Sequence, residues 1–279
     1  MASTMDMREF YENYSDARKV REAYFIQESS FFDDLVTRVF SNFIKCLSSG
    51  DVRGDTVLGL SFGPVIFYTL PLCEYFNEIN FACPTDKSIQ EIKNWLKSVP
   101  DALDWSDAAK MICELHGSGG TWIEKQHTLK RKVKSLYKLD VTSRNPLSPI
   151  IHPQADCLLL VHCLENLVSD EKSYCEALTN VSSLLKPGGH LLMIAALEAT
   201  FFMVGDVTFP LLCIDKCFLK DALIGAGYVI EEFHLIPRKL MRLHDRGDYK
   251  YFVFLKAKKE NCNPPIDKEE TVQGNLLEK

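Results

Sequence analysis

From Thr56 onward the apolar and polar positions fall into two alternating rhythms. Short apolar runs bounded by turn residues predict strands at Thr56–Ser61, Glu78–Cys83, Ser135–Val141, Ala155–Cys163 and His190–Leu197, and again at Tyr228–Ile236 and Tyr249–Ala257. Stretches with apolar residues three and four apart predict helices between them at Val65–Phe76, Ser88–Ser98, Asp104–Glu114, Trp122–Val133, Glu171–Leu185 and Asp215–Ala226. Alternation of this kind implies an α/β fold, a largely parallel sheet with helices on both faces. The last two strands have no helix between them, only "PRKLMRLHDRGD", so they should form an antiparallel hairpin at the sheet edge. Gly188 and Gly189, after Pro187, read as a sharp turn from helix into strand.

The region before Thr56 reads as helical. Leu35, Val36, Val39, Phe40, Phe43, Ile44 and Leu47 repeat at helical spacing and stop at Gly50. An aromatic-rich segment precedes them, from Met7 to Phe25, with Phe10, Tyr11, Tyr14, Tyr24 and Phe25. It suits a helix packed on the domain or a lid over a pocket. The chain thus divides into an N-terminal helical cap over residues 1–50, an α/β domain over 51–258, and a polar tail over 259–279 with paired prolines that reads as disordered.

Composition narrows the function. The chain has 279 residues, of which 46% are hydrophobic and 25% charged, as expected of a globular protein. A formal net charge of -6 argues against nucleic acid as the main partner, because phosphate binding needs a concentrated basic face. The densest basic run, "LKRKVKSLYK", is short and suits a solvated helix face or a small anion or partner site. The N-terminal residues show no secretory signal, and no apolar run approaches the ~20 residues of a membrane helix. The 10 cysteines form no CxxC pair, which argues against a metal site and fits reduced thiols in the cytosol.

The carboxyl end of the first strand is where an open α/β sheet binds its ligand. That stretch reads "GLSFGP", and it lacks the G-x-G-x-x-G of a dinucleotide-binding oxidoreductase, since only Gly59 and Gly63 are available.

Several blocks together resemble one family. "LLKPGGHLLMIAAL" is similar to the turn and fifth strand of S-adenosylmethionine-dependent methyltransferases. The pattern W-x-K-x-x-P-x-A-x-D-W-S, from Trp95 to Ser106, is narrower, as are "DVRGDTVLGLSFGPVIFYTL", "LCEYFNEI", "LDVTSRNPL", "ADCLLLVHCLENLVSDEKSYCEAL" and "FFMVGD" in that order. They resemble the nicotinamide, indolethylamine and phenylethanolamine N-methyltransferases across roughly residues 7–257. The resemblance implies a class I Rossmann-like methyltransferase fold with a seven-stranded sheet. It implies S-adenosylmethionine as methyl donor, S-adenosylhomocysteine as product, no metal, and a monomer. The acceptor implied is a small amine, pyridine or thioether. The reaction implied is in-line attack on the sulfonium methyl, aided chiefly by proximity and a shaped electrostatic cage.

The resemblance also assigns residues, and several depart from the family pattern. The family's D-I-G-S-G-P loop corresponds to Gly59, Leu60, Ser61, Phe62, Gly63 and Pro64, so the acid is lost and a ring stands at Phe62. The acid that ends the second strand and holds the ribose corresponds to Cys83, a poor acceptor for two hydroxyls. Asp86 and Ser88 follow, Asp86 being either a ribose ligand or a helix cap. Asp140 and Val141 match the adenine-binding pair, Asp140 alternatively capping a turn before Thr142. His162 and Cys163 would line the cofactor pocket, and Tyr11, Tyr24 and Phe25 would cover it. On the acceptor side the family's Asp is Ala195 and an N-terminal Tyr is Val20, while Phe201 and Phe202 match an aromatic pair that can wall a flat ring. Two functions follow. One is a divergent small-molecule N-methyltransferase. The alternative is an inactive methyltransferase-fold pseudoenzyme that serves as a binding or regulatory module.

Overall fold

The computed structural model describes residues 7–24, 37–63, 66–117, 121–238 and 246–261, the side chains of Arg8, Ala23 and Tyr24 excepted. The expected polar tail and the Phe25 position therefore lie outside the described residues, apart from the first few tail positions.

Seven strands form one sheet in the order β3-β2-β1-β4-β5-β9-β8. The strands are β1 (Gly54–Ser61), β2 (Phe76–Cys83), β3 (Val133–Lys138), β4 (Ala155–Val161), β5 (Leu185–Leu197), β8 (Tyr228–Pro237) and β9 (Tyr251–Lys259). The first five run parallel, and β9 is antiparallel to both β5 and β8. The hairpin expected at the sheet edge is thus present, with the last strand tucked inside and β8 at the rim. Strand order reverses between β1 and β4, which places a crevice at their carboxyl ends.

Nine helices accompany the sheet among the described residues: α1 (Met7–Tyr14), α2 (Ala17–Tyr24), α3 (Phe40–Ser48), α4 (Asp86–Leu96), α5 (Ser106–His116), α6 (Trp122–Lys132), α7 (Leu164–Leu167), α8 (Glu171–Ser182) and α9 (Lys216–Gly225). Each sheet face buries its own apolar layer. Phe43, Phe67, Trp105, Ile194 and Phe254 belong to one, and Leu58, Leu160, Tyr174, Leu191 and Leu219 to the other. No helix among the described residues is long and apolar enough to cross a membrane.

The differences from the sequence expectation have local causes. The aromatic N-terminal segment is two helices, because the Asp16 carboxylate accepts from the amides of Arg18 at 2.9 Å and Lys19 at 3.3 Å and starts a new helix. The helix expected at Val65–Phe76 is two short 3-10 turns, Ile66–Thr69 and Pro71–Glu74, the second opened by Pro71. Strand β5 begins at Leu185 and carries the Pro187–Gly189 segment as an irregularity in its pairing with β4. A small hairpin, β6 (Phe201–Val204) and β7 (Val207–Pro210), was not legible in the pattern at all.

One ionic cluster lies away from the crevice, at the start of β5. The Lys256 ammonium, almost fully buried, stands 2.9 Å from Asp51, 3.2 Å from Glu231 and 3.3 Å from Glu232. His190 sits beside it, 3.5 Å from Glu231. Burial holds the His190 imidazole below its ordinary pKa, although Glu231 and Asp51 pull the other way. His116 is lowered for the same reason, with the Lys125 charge adding to it. A histidine that resists protonation when folded takes up protons more readily when unfolded. Stability from these two groups is therefore fully present above their ordinary value of about 6.5 and is lost as pH falls from there through their lowered folded values. Thermal melts from pH 8 to pH 5 should show an acid-side decline that His190→Asn makes shallower. A slope unchanged by that substitution would assign the decline elsewhere.

Candidate functional site

The crevice is built from the carboxyl ends of β1, β2, β4 and β5. Strand β1 ends at Ser61, whose hydroxyl donates to the Gly63 carbonyl and closes a tight turn around Phe62. Among the described residues, and apart from its chain neighbours, nothing lies within 4 Å of a Cβ built on Gly63, so the described chain leaves space beside the loop. That is the room a bound group needs where backbone must approach closely.

Phe62 fills part of what surrounds this space. Its ring lies edge-on to Tyr11 at 4.3 Å and to Phe202 at 5.7 Å. Phe209 stacks on both Tyr11, at 5.2 Å, and Phe202, at 5.0 Å, and Phe10 meets it edge-on at 5.4 Å. Five rings from α1, the β1 loop and the β6–β7 hairpin thus roof the crevice. Val20, on α2, packs against the same apolar layer. The Asp248 carboxylate pins the start of β6 by accepting from the amides of Thr200 at 2.8 Å and Phe201 at 3.2 Å. Phe202 enters the ring cluster. Its neighbour Phe201, pointing the opposite way along the strand, makes no ring contact among the described residues, so the expected aromatic pair is divided.

Tyr11 ties the roof to the floor. Its buried hydroxyl donates within 3.1 Å of Asn166 Oδ1 and 3.3 Å of the Pro210 carbonyl. Burial and the nearby Glu165 charge push the phenol well above its ordinary pKa, so it stays a neutral donor. Asn166 in turn donates to the His162 carbonyl at 3.0 Å. His162 follows β4 with a positive φ of 44°, a left-handed conformation that swings the chain into α7. The Glu165 carboxylate, only 2% exposed, lies beneath this network. Its Oε1 is 3.5 Å from His162 Nδ1 and 3.4 Å from the Ala196 amide.

Glu165 and Asn166 were not singled out by the sequence reading, nor was Phe209. The available signal was a carboxylate and an amide in the apolar run "HCLENLV", directly after a buried strand. Cys163 is buried, and burial raises its thiol well above the ordinary range. Ala195 sits inside β5, paired with Val253 and 1% exposed, in the core under the crevice.

The β2–β3 side carries the remaining positions. Cys83 ends β2 at 1% exposure, and burial pushes its thiol up to about 12, outweighing the Ser61 hydrogen bond and the Lys138 charge. It is a neutral thiol at pH 7 and a weak acceptor. Asp86 does not cap α4. Thr85 does so, accepting from the Ser88 amide at 3.2 Å and hydrogen-bonding the buried Ser88 hydroxyl at 2.8 Å. The Asp86 carboxylate is 79% exposed and pairs with Lys138 at 2.9 Å. Asp140 accepts from the Thr142 amide at 3.0 Å and hydroxyl at 2.6 Å, the turn cap expected as its other reading. Val141 is buried beside it, its carbonyl held by Asn180 at 3.0 Å.

Sheet order, crevice and roof define a class I S-adenosylmethionine-dependent methyltransferase fold. A magnesium protoporphyrin IX methyltransferase from Synechocystis, solved with bound S-adenosylmethionine, superposes with a TM-score of 0.57 at 11% identity, covering 93% of this chain and all of that one (100%). The profile of the NNMT/PNMT/TEMT family matches residues 3–260, and the chain belongs to that family. Human nicotinamide N-methyltransferase is 34% identical over 240 residues, 85% of this chain and 91% of that protein. Rabbit indolethylamine N-methyltransferase is 38% identical over 194 residues, 70% of this chain and 74% of that protein. Macaque phenylethanolamine N-methyltransferase is 32% identical over 206 residues, 71% of this chain and 73% of that protein. Membership makes the chain an S-adenosylmethionine-dependent N-methyltransferase.

Proposed function

We propose that this methyltransferase takes a small amine or pyridine as acceptor, with a thioether sulfur as a further possibility of the same chemistry. The observation that carries the reading is Glu165, a carboxylate buried at the carboxyl ends of β4 and β5 beneath a roof of aromatic rings. A flat or cationic nitrogen compound matches such a box: rings for its faces, a carboxylate for its charge. The names of the relatives, nicotinamide, indolethylamine and phenylethanolamine N-methyltransferases, support the acceptor class.

The open space beside Gly63 and the Asp140–Val141 turn fit the donor, S-adenosylmethionine, although the end of β2 offers no acid to it. When bound, that molecule supplies an electrophilic methyl on a sulfonium. The chain's own residues do the rest. Phe62 and Phe202, the partly exposed rings backed by the buried Tyr11–Phe209 stack, exclude water and orient a planar acceptor. A protonated amine must lose a proton before its lone pair can attack. His162 Nδ1 and Glu165 Oε1, 3.5 Å apart, are the groups at that end of the crevice able to receive it. A pyridine nitrogen already has its lone pair free and needs no such step.

We infer a cytosolic location, supported by nine free cysteines among the described residues. A monomer in sedimentation would match the expected oligomeric state.

The direct test is calorimetry with S-adenosylhomocysteine, followed by incubation with S-adenosylmethionine and a panel of amines, pyridines and thioethers. We expect micromolar binding and a methylated nitrogen product detected by mass spectrometry. Failure to bind the cofactor at millimolar concentration would replace this reading with the pseudoenzyme.

A further inference from the structure

Nucleotide-binding sheets of this order hold the ribose with an acidic residue at the end of the second strand, about twenty residues after the glycine turn. Counting from Gly63 leads to Cys83, which is a buried neutral thiol. A ribose diol lying there would meet no acid at the end of β2. Among the described residues, three other carboxylates stand at that edge. Asp86 is turned to solvent and paired with Lys138, and Asp140 is taken up by Thr142.

The third is Glu12, delivered by α1 from the other end of the chain. Its Oε2 accepts from the Asp86 amide at 2.9 Å, at the first residue of α4, and from Lys138 Nζ at 3.3 Å. Both bonds fall on one oxygen, and among the described residues no donor meets Oε1, which leaves it to a further donor. The side chain is 32% exposed, neither buried in the core nor free in solvent. Its neighbour Tyr11 is fixed in the ring cluster, and the Asn13 carbonyl accepts from Lys87 at 3.2 Å. Helix α1 is therefore moored on both sides of the crevice, with Glu12 held at the carboxyl ends of β2 and β3.

We propose that Glu12 replaces the missing strand-end acid and accepts the ribose hydroxyls of the cofactor through Oε1. Lys138 and the α4 amide position it. The inference rests on the cofactor assignment above and adds a residue to it. It makes α1 part of the binding site for the nucleoside, so that ligand binding and seating of the N-terminal helix are coupled.

The test is calorimetry with S-adenosylhomocysteine and its 2′-deoxy analogue, using the full chain, Glu12→Gln, and Glu12→Gln combined with Cys83→Asp. A hydrogen bond to a charged group sets the scale, about tenfold in affinity. The unmodified chain should bind the 2′-deoxy analogue about tenfold more weakly than S-adenosylhomocysteine. Glu12→Gln should bind S-adenosylhomocysteine about tenfold more weakly and no longer distinguish the two. Restoring an acid with Cys83→Asp should recover both affinity and discrimination. Unchanged or tighter binding by Glu12→Gln overturns the proposal, as does an unmodified chain indifferent to the 2′-hydroxyl, a result that depends on no variant. If the unmodified chain binds neither ligand, the cofactor assignment fails and this proposal fails with it.

Discussion

Replacing Phe62 by serine should tighten S-adenosylhomocysteine binding about tenfold while making the protein melt several degrees lower. Both effects come from the same contacts. The ring sits edge-on to Tyr11 at 4.3 Å and to Phe202 at 5.7 Å, directly before the open space at Gly63. Aromatic pairs of this geometry contribute roughly 0.5–1.5 kcal/mol each beyond area burial. Deleting a half-buried ring should therefore cost about 2 kcal/mol, less than the roughly 3–5 kcal/mol of a fully buried one. For a chain of this size that corresponds to a fall of roughly 4–8 °C. A ligand entering beside Gly63 has to displace or accommodate the ring, and removing it lifts an opposing term of about 1.4 kcal/mol, or tenfold. Calorimetry and a thermal melt on the same preparation decide the matter. Weaker binding in Phe62→Ser would mean that the ring is a wall of the ligand site rather than an obstacle in it.

Glu165→Gln should slow methyl transfer to aliphatic amines about a hundredfold and leave S-adenosylhomocysteine binding nearly unchanged. The amide can still accept from the Ala196 backbone, so the fold keeps its local bond. It cannot take a proton or balance a cation, and general-base contributions run at roughly 100- to 10,000-fold. A pyridine acceptor should lose much less, because its lone pair is free at neutral pH. Measuring kcat and KM for one amine and one pyridine separates the roles. Equal losses for both acceptors would show that Glu165 acts by positioning the His162–Ala196 end of the crevice rather than by handling charge. Glu165→Ala should be worse in a different way, since it strands the buried Ala196 amide and costs stability of about 1–3 kcal/mol.

Much of the fold was legible because its periodicities are local. The strand at Ala155 and the later half of β5 are apolar runs that only a sheet covered on both faces can bury. The helices at Glu171–Ser182 and Lys216–Gly225 begin close to where the periodicity placed them, and Asp170 and Asp215 cap them, their carboxylates accepting from the amides of Ser173 and Phe218. The β6–β7 hairpin escaped notice because its strands are four residues each, too short to carry a pattern. The 3-10 turns after Gly63 escaped for a related reason, since an apolar segment bounded by Pro71 satisfies a helical spacing without room for a helix.

The candidate site divides the same way. Phe62, Gly63, Asp140 and His162 could be placed in the fold by counting, because each lies at a strand end or turn with a fixed offset from its strand, whereas Tyr11 lies within α1 and was named only through the resemblance. Glu165 and Glu12 could not. Nothing in "LEN" or "YENY" says which of those acids is buried or which reaches another element.

The family, the α/β sheet and the loss of the acids at Gly59, Cys83 and Ala195 are readable along the chain, because these follow from residue identity at countable positions. What surrounds those positions depends on tertiary contacts. Burial makes Cys83 an inert thiol, Asp248 and Tyr11 bring the rings of three separate segments together, and α1 carries Glu12 across to strands more than sixty positions later in the chain. Such contacts join residues far apart along the chain, and the only information about them is which surfaces the folded core leaves close enough to meet.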